Sequence, residues 1–203
     1  MNTRALIRAT TLGLLQNPHG RTWQVQGLGM LRTYLTPEIR LHIWDKKLRV
    51  PNVSAIHDHP WNFRSYVVSG RLRQMRYEEC DPRALDSVGA KLYGKQLIQC
   101  GPQGSPMGNP TQVYLRPVKV TMTPFGELEQ YVAGEWYEQR AEEIHESIPD
   151  DGTVTLVERH FREDTEHAKV YFTTPEWVSA LPRSAMGAEV MDVVERALAG
   201  WDA

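Results

Sequence analysis

The chain has 203 residues, of which 41% are hydrophobic and 24% are charged, and its formal net charge is -2. These values are ordinary for one globular domain, and they argue against the strongly basic surface of a nucleic-acid-binding protein. No apolar run reaches the length of about 18 residues that a membrane-spanning helix needs, so we expect neither nucleic acid nor a membrane as a partner.

The N-terminal segment predicts a short helix over residues 3–16 and not an export signal. Arg8 interrupts its apolar stretch, no small-residue cleavage site follows, and the segment NPHG at 17–20 stops the helix. Without an export signal, we expect a cytoplasmic protein in which Cys80 and Cys100 are reduced thiols.

From residue 22 to about 172 the pattern is typical of an all-β protein. Short runs rich in Val, Tyr, Trp and Thr alternate with turn residues, and Gly70 and Gly152 each complete a hairpin-turn signal. The Gly- and Pro-rich segment 100–110 predicts a long surface loop. The predicted strands are 22–26, 29–35, 38–44, 53–57, 63–69, 71–78, 91–98, 111–115, 118–123, 129–139, 153–159 and 168–172.

The C-terminal region returns to a helical pattern over residues 175–200. Pro175 begins a predicted short helix, and residues 184–200 predict an amphipathic helix with Ser184 as its N-cap and Gly200 at its end. We therefore expect a single domain over 1–203, with a β core between an N-terminal helix and a C-terminal helical extension.

The segment IHDHPWNFRSYVVSG, residues 56–70, carries the clearest chemical signal. His57 and His59 lie two residues apart, and on an extended chain such residues point to the same face. Neutral imidazoles are ligands for iron, nickel, copper, zinc and manganese. Two histidines with this spacing often occur by chance, so the surrounding sequence has to support a metal site.

This segment resembles the first motif of the cupin superfamily, G(X)5HXH(X)3-4E(X)6G. His57 and His59 match its histidines and Gly70 matches its closing glycine, whereas Pro51 stands at its opening glycine. The motif's glutamate is also missing, because Phe63 and then Arg64 stand where it would be.

The second cupin motif, G(X)5PXG(X)2H(X)3N, is similar to the segment from Gly134 to Pro149. Gly134 and His145 match in spacing, whereas Arg140 and Glu142 replace the proline and the second glycine, and Pro149 replaces the asparagine. The resemblance covers roughly residues 35–172 and extends to small cupin proteins of bacteria and phages.

The resemblance implies a cupin jelly-roll β-barrel whose interior holds one divalent metal ion on His57, His59 and His145. The all-histidine set resembles that of cupin thiol dioxygenases and some diketone-cleaving dioxygenases, which use iron(II). Fe(II) is thus the first expectation, with Zn, Ni or Mn as alternatives. Because three neutral ligands leave the charge of the ion uncompensated, we expect a small anionic substrate.

Several side chains are candidates for the wall of the pocket. If the strand after His59 is regular, odd-numbered residues share its inner face and Phe63 points inward; if it slips by one residue, Arg64 does. Arg71 and His42 are further candidates for a catalytic role. Other candidates for the lining are Arg40, Arg73, Trp61, Tyr66, Trp136 and Tyr137.

Three classes of function remain open at this point. The first is an iron-dependent dioxygenase, and the second is a metal-dependent isomerase, lyase or hydrolase without redox chemistry. The third is a cupin that binds a small ligand without catalysis, because a fold alone does not decide function. A homodimer is possible, since cupins often pair through outer strands.

Overall fold

The computed structural model describes residues 3–51, 53–81, 90–99, 118–160, 167–173 and 182–201. Within these ranges the chain is mainly β, with two helices. The helices are α1 (Thr3–Gln16) and α2 (Gly187–Ala199). The strands are β1 (Trp23–Gln26), β2 (Leu28–Tyr34), β3 (Ile39–Arg49), β4 (Ile56–His57), β5 (Asn62–Ser69), β6 (Arg71–Cys80), β7 (Lys91–Gln99), β8 (Val118–Val132), β9 (Trp136–Gln139), β10 (Ile144–Pro149), β11 (Val154–His160), β12 (His167–Phe172) and β13 (Arg183–Ser184).

The strands form two antiparallel sheets. The first has seven strands in the order β13-β1-β2-β3-β11-β5-β9. In the second, β10, β4, β12, β7, β8 and β6 are paired in succession, and β6 pairs in turn with β10. Every strand of the second sheet therefore has two neighbours, and the sheet has no free edge among these pairings.

Around the middle of β3, the first sheet is buried on both faces. On β3, Leu41 and Ile43 point to one side, where they pack with Leu15 of α1 and Val193 of α2. Alternate residues point to the other side, where Trp44 packs with side chains such as Phe63, Val67 and Val157. This alternation is the period of two that a pleated strand imposes. The helices cover one face of the sheet, and the other face looks toward the second sheet.

The turn between β5 and β6 depends on Gly70. The hairpins predicted at Gly70 and Gly152 are wrong, because each of these glycines joins two strands that lie in different sheets and do not pair. The φ of Gly70, 81°, lies in the left-handed region, which glycine adopts without a steric penalty. A Cβ at this position would lie 2.7 Å from Oγ1 and 2.9 Å from Cα of Thr153. The turn therefore fixes how β5 continues into β6, at the point where the chain passes from the first sheet to the second.

The helix predicted over residues 3–16 is confirmed at both ends. The C-terminal helix starts at Gly187 and not at residue 184, because Ser184 and Arg183 pair with Gln24 and Val25 as strand β13. The segment predicted as one strand over 129–139 is two strands, separated by a turn at Ala133 and Gly134.

Strand β10 was not predicted, although it carries His145. The predicted loop at 100–110, the predicted strand at 111–115 and the predicted short helix that begins at Pro175 lie outside the described residues. Neither described helix is long and apolar enough to span a membrane.

Candidate metal centre

Three histidines meet where β4 and β10 pair. His57 lies directly opposite His145 in the register of these strands, and His59 lies in the connection that follows β4. The ring centroids are 4.7 Å apart for His57 and His145, 4.8 Å for His57 and His59, and 5.2 Å for His59 and His145. One nitrogen from each ring lies within 4.8 Å of the others. These histidines lie close enough to hold a metal ion.

Backbone carbonyl groups orient two of the rings. Nδ1 of His57 lies 2.9 Å from the oxygen of Ala55, and Nδ1 of His145 lies 3.0 Å from the oxygen of Glu143. Each Nδ1 donates to its carbonyl when the ring is neutral, which leaves Nε2 as an acceptor with a free lone pair. This arrangement is common for metal-binding histidines, because the hydrogen bond fixes both the tautomer and the ring orientation.

Burial keeps the three rings neutral. Burial, with a smaller effect of the neighbouring His57, lowers the pKa of His145 to about 3. The pKa of His59 lies well below its usual range, because the ring is buried and faces His57 and His145. Burial also lowers the pKa of His57, against the opposing effect of its hydrogen bond to Ala55. A neutral imidazole is the form that binds a metal.

The separation of the nitrogen atoms is compatible with one ion. Two nitrogen atoms that each lie about 2.1 Å from a tetrahedral zinc ion are about 3.4 Å apart. Ligand atoms within 4.8 Å of one another thus need ring rotations that shorten the widest separation by up to about 1.4 Å. Each ring is attached through a rotatable Cα–Cβ bond, so shifts of this size do not require the strands to move.

An aromatic ring stands where the cupin motif has its acid. The ring of Phe63 lies 5.3 Å from that of His59 and 6.4 Å from that of His145. Among the described residues, the histidine cluster includes no carboxylate and no thiol. Any ion held here would thus have three neutral protein ligands.

The connection that carries His59 is tied down on two sides. Oδ1 of Asp58 accepts a hydrogen bond of 2.5 Å from the backbone N–H of Lys169, and Oδ2 lies 3.2 Å from Nζ of the same lysine. On the other side, the carbonyl of His59 accepts a hydrogen bond of 2.9 Å from the N–H of Glu142. The contacts of Asp58 with Lys169 form a clamp between the histidine pair and β12, and Asp58 is only 1% exposed.

A cavity of about 120 Å³ opens between the two sheets, and all three histidines line it. The first sheet contributes His42, Arg40 and Phe63, and the second contributes His145 and Val170. The wall also includes Trp61 and Tyr137, as predicted, together with Arg32, Asp58 and Ser147. The cavity therefore brings cationic and apolar side chains to the histidine cluster.

Arg64 and Arg71, two of the predicted catalytic candidates, lie away from this cavity. Arg64 is exposed on the opposite side of β5, where Nε donates to Glu158 and the guanidinium stacks 5.1 Å from the ring centroid of Trp136. Arg71 is also exposed and forms an ion pair of 2.8 Å with Asp150. The strand keeps the parity that turns Phe63 inward, so Arg64 points outward.

The third candidate, His42, lies in the cavity wall with only 8% exposure. Arg40 is buried there as well, whereas Arg73 lies outside the cavity and pairs with Asp150 at 3.1 Å. Tyr66 and Trp136 do not line the cavity either; their rings lie 4.9 Å apart, tilted by 46°, elsewhere on the first sheet.

Sequence reasoning missed Arg32 and Asp58 as residues of the cavity. A signal for Arg32 was present: Leu28, Met30 and Arg32 alternate along one strand, so the arginine shares their inner face. Asp58 gave no such signal, because the residue between two inward-facing histidines is expected to point away from them.

Neither the family models nor the curated proteins compared with the sequence give a match. The resemblance to the cupin motifs therefore depends on the residues that carry it.

Proposed function

We propose that this protein is a metal-dependent enzyme, a non-haem iron(II) dioxygenase that acts on a small anionic substrate. The observation that carries the proposal is the cluster of His57, His59 and His145, whose nitrogen atoms lie within 4.8 Å of one another in the wall of a cavity. A ferrous ion there would supply the electron-transfer chemistry that a reaction with O2 requires.

The charge of the site supports an anionic substrate. Three neutral imidazoles leave the double charge of a divalent ion uncompensated, and the ring of Phe63 takes the place of the acid that would otherwise reduce it. Inside a cavity of low polarity, this excess charge favours a ligand that brings negative charge of its own.

We also propose that the two sheets form a cupin jelly-roll barrel. The support is that three motif positions which the cupin pattern gives to glycine have a positive φ, the conformation that glycine favours. Gly70 and Gly134, which match motif glycines, have φ values of 81° and 94°. Glu142, which replaces the second glycine of the second motif, has a φ of 66°. Residues other than glycine rarely adopt this conformation. The position thus keeps the backbone of a glycine although the residue has changed.

The protein's own residues would bind, orient and shield the substrate. The imidazoles of the cluster hold the ion, and the carbonyl groups of Ala55 and Glu143 keep two of these rings in place. Trp61 and Phe63, both buried, exclude water from the space beside His59. Exclusion of water strengthens the attraction between the ion and an anionic group.

Oxygen consumption tests this proposal. Protein reconstituted anaerobically with iron(II) is mixed with small thiol carboxylates and dicarbonyl acids, and O2 uptake is followed with an electrode. We expect uptake that depends on both iron and substrate, that is lost in His57→Ala, and that is retained in His160→Ala, which changes an exposed histidine. Absence of substrate-dependent uptake with every compound would contradict a dioxygenase.

The histidine set also favours a second candidate, a metal-dependent lyase, isomerase or hydrolase without redox chemistry. Three histidines and an open position are a ligand set of catalytic zinc, which acts as a Lewis acid and activates bound water. Turnover of a substrate at the same rate with and without O2 would favour this candidate. Tight binding of a compound without turnover under either condition would instead indicate a cupin that binds its ligand without catalysis.

A further inference from the structure

Three arginine side chains are buried on the cavity side of the first sheet. Arg32 is 3% exposed, Arg40 is 5% exposed and Arg159 is 2% exposed. Arg32 and Arg40 line the cavity, and Arg159 lies beside them, since its guanidinium and that of Arg40 each lie within 5.5 Å of the ring centroids of Tyr34 and Trp61. Buried arginines are rare unless a partner offsets the cost of removing the charge from water.

The contacts of Arg32 only partly offset that cost. Arg32 donates from Nε to Gln24 at 3.1 Å and from Nη1 to Gln26 at 3.2 Å, so its partners are neutral amides. In the part of the chain that the structure describes, Arg32 takes part in no ion pair. Burial lowers its pKa, and burial together with the charges of Arg32 and Arg159 lowers the pKa of Arg40 well below its usual range. Among the described residues, the charge of Arg32 at the cavity wall is thus offset only by neutral groups.

A second, independent feature points to a ligand at the same place. His42 lies directly opposite Arg32 in the register of β2 and β3, and it is two residues from Arg40 on the same face of β3. It is 8% exposed, and its buried Nε2 has no hydrogen-bond partner among the described residues. A buried polar atom without a partner costs stability, and it is often the place where a ligand or water binds.

Arg32, Arg40 and His42 lie near the cluster of His57, His59 and His145. The ring of Trp61 lies 5.0 Å from the ring of His59, and the guanidinium of Arg40 lies 5.3 Å from the centroid of the same tryptophan. One cavity includes both groups in its wall. Its volume of about 120 Å³ is slightly below that of an engineered cavity of about 150 Å³ that binds benzene, so the molecule that bridges the two ends must be small.

We infer that Arg32, Arg40 and His42 form an oxyanion subsite, which binds a carboxylate or phosphate group of a substrate whose other end reaches the histidine cluster. The planar guanidinium of arginine presents paired N–H donors that match the oxygen atoms of such groups. The inference rests on the proposed function and makes it more specific. The substrate is a short molecule with two functional ends, one that binds the metal ion and one that carries an oxyanion.

Anion binding to the metal-free protein tests the subsite without the metal. Inorganic phosphate and acetate are titrated separately into the protein at constant ionic strength, and the heat of binding is measured. We expect saturable binding of at least one of them, weakened about tenfold or more in Arg40→Gln, because a charge-assisted hydrogen bond is lost. The matched control is Arg64→Gln, since Arg64 is exposed and lies outside the cavity.

The pattern of results separates the two kinds of oxyanion. Tighter binding of phosphate would assign a phosphorylated substrate, and tighter binding of acetate would assign a carboxylate. Failure of both probes to bind saturably to the wild type would overturn the inference, as would equal affinity in Arg40→Gln. Circular dichroism establishes that each variant is folded. Where Arg40→Gln does not fold, the affinity of Arg40→Lys for the same anions is measured instead. Lysine keeps the charge and loses the paired donors, so we expect weaker binding, and unchanged affinity in Arg40→Lys would overturn the inference.

A second titration tests whether the two ends act together. Malonate, succinate and glutarate, with propionate and butyrate as single-headed controls, are titrated into cobalt(II)-loaded protein, and the visible absorption of cobalt reports binding at the metal. We expect one dicarboxylate to bind more tightly than the controls, and Arg40→Gln to remove that advantage. An equal advantage in Arg40→Gln would overturn the inference. Failure of the wild type to bind cobalt would contradict the proposed metal site alone, and the phosphate and acetate titrations would still decide the subsite.

Discussion

Several histidines in the cavity wall have a lower pKa than an imidazole has in water. His42, His59 and His145 are neutral imidazoles among buried cationic and aromatic groups, and burial is the largest cause of the lowered pKa in each case. Each histidine binds a proton more readily in the unfolded chain than in the folded protein. A difference of this kind makes stability depend on pH.

The metal-free protein is therefore predicted to lose stability as the pH falls below about 6.5. Between that value and the pKa of about 3 for His145, the unfolded chain takes up protons that the folded protein does not, so the free energy of unfolding decreases. Each such histidine contributes a slope of up to about 1.4 kcal/mol per pH unit in this window. Urea unfolding at several pH values between 7.5 and 5 measures the slope.

The variant His42→Gln isolates one contribution to this slope. Because burial and the charge of Arg40 lower the pKa of His42 well below its usual range, its removal is expected to make the dependence on pH shallower. His19→Gln, which changes an exposed histidine, is the matched control. The same slope in His42→Gln and in the wild type would contradict the account of His42 as a buried neutral ring.

The clamp between Asp58 and Lys169 gives a prediction about metal affinity. Asp58→Ala removes both the hydrogen bond to the N–H of Lys169 and the ion pair with its side chain, so the connection that carries His59 is less restrained. We expect zinc affinity to fall about tenfold, as is common when groups that position metal ligands are lost. Competition with a coloured chelator measures the affinity.

The control for this prediction is Asp151→Ala, which removes an exposed ion pair with Lys46. Equal zinc affinity in Asp58→Ala and the wild type would show that the histidines keep their positions without the clamp.

Sequence spacing predicts the direction in which some of these side chains point, because the local geometry of an extended chain determines that direction. Residues 57 and 59 share a face of any extended chain, and the parity of β5 then turns Phe63 inward and Arg64 outward. Burial of Arg40 could not be predicted in this way. Whether an arginine on a strand faces solvent or a cavity depends on what packs against that face, and here the ring of Trp61 lies against it.

Among the elements, the turn between β5 and β6 determines how the two sheets are joined. Gly70→Ala is expected to destabilise the protein by at least about 2 kcal/mol, because a positive φ costs any other residue about 1–2 kcal/mol and the new Cβ would overlap the backbone of Thr153. Gly134→Ala is the matched control, since Gly134 has a φ of 94° but a Cβ added there would meet nothing within 4 Å.

The difference between these two variants measures the steric effect separately from the backbone conformation. Urea unfolding at one pH gives both free energies. A Gly70→Ala variant no less stable than Gly134→Ala would contradict a tightly packed turn at Thr153.

Elements bounded by local signals were predictable, and elements defined by distant partners were not. The breakers at 17–20 end α1 at the residue expected, and Gly70 separates the strands expected on either side. By contrast, β10 reads IHESIP, in which charged and polar residues interrupt the apolar positions. Its pairing with β4 and β6 makes it a strand, and both partners lie more than 60 residues earlier in the chain.

For the whole molecule, the main consequence of the fold is a cavity between two sheets. His145 follows His59 by 86 residues in the sequence, and only the pairing of β10 with β4 brings the two rings together. The same arrangement places Arg32 and Arg40 of the first sheet in the wall of that cavity. The metal site and the oxyanion subsite thus depend on how the sheets face each other.

Metal content tests the central claim most directly. The wild type, His145→Ala and the exposed-histidine control His160→Ala are purified anaerobically in parallel, and their metals are measured by mass spectrometry. We predict about one equivalent of a divalent metal in the wild type and the control, and none in His145→Ala. Iron would support the dioxygenase, whereas zinc, nickel or manganese would favour the non-redox enzyme. No metal in the wild type after reconstitution, or equal metal in His145→Ala, would contradict the site.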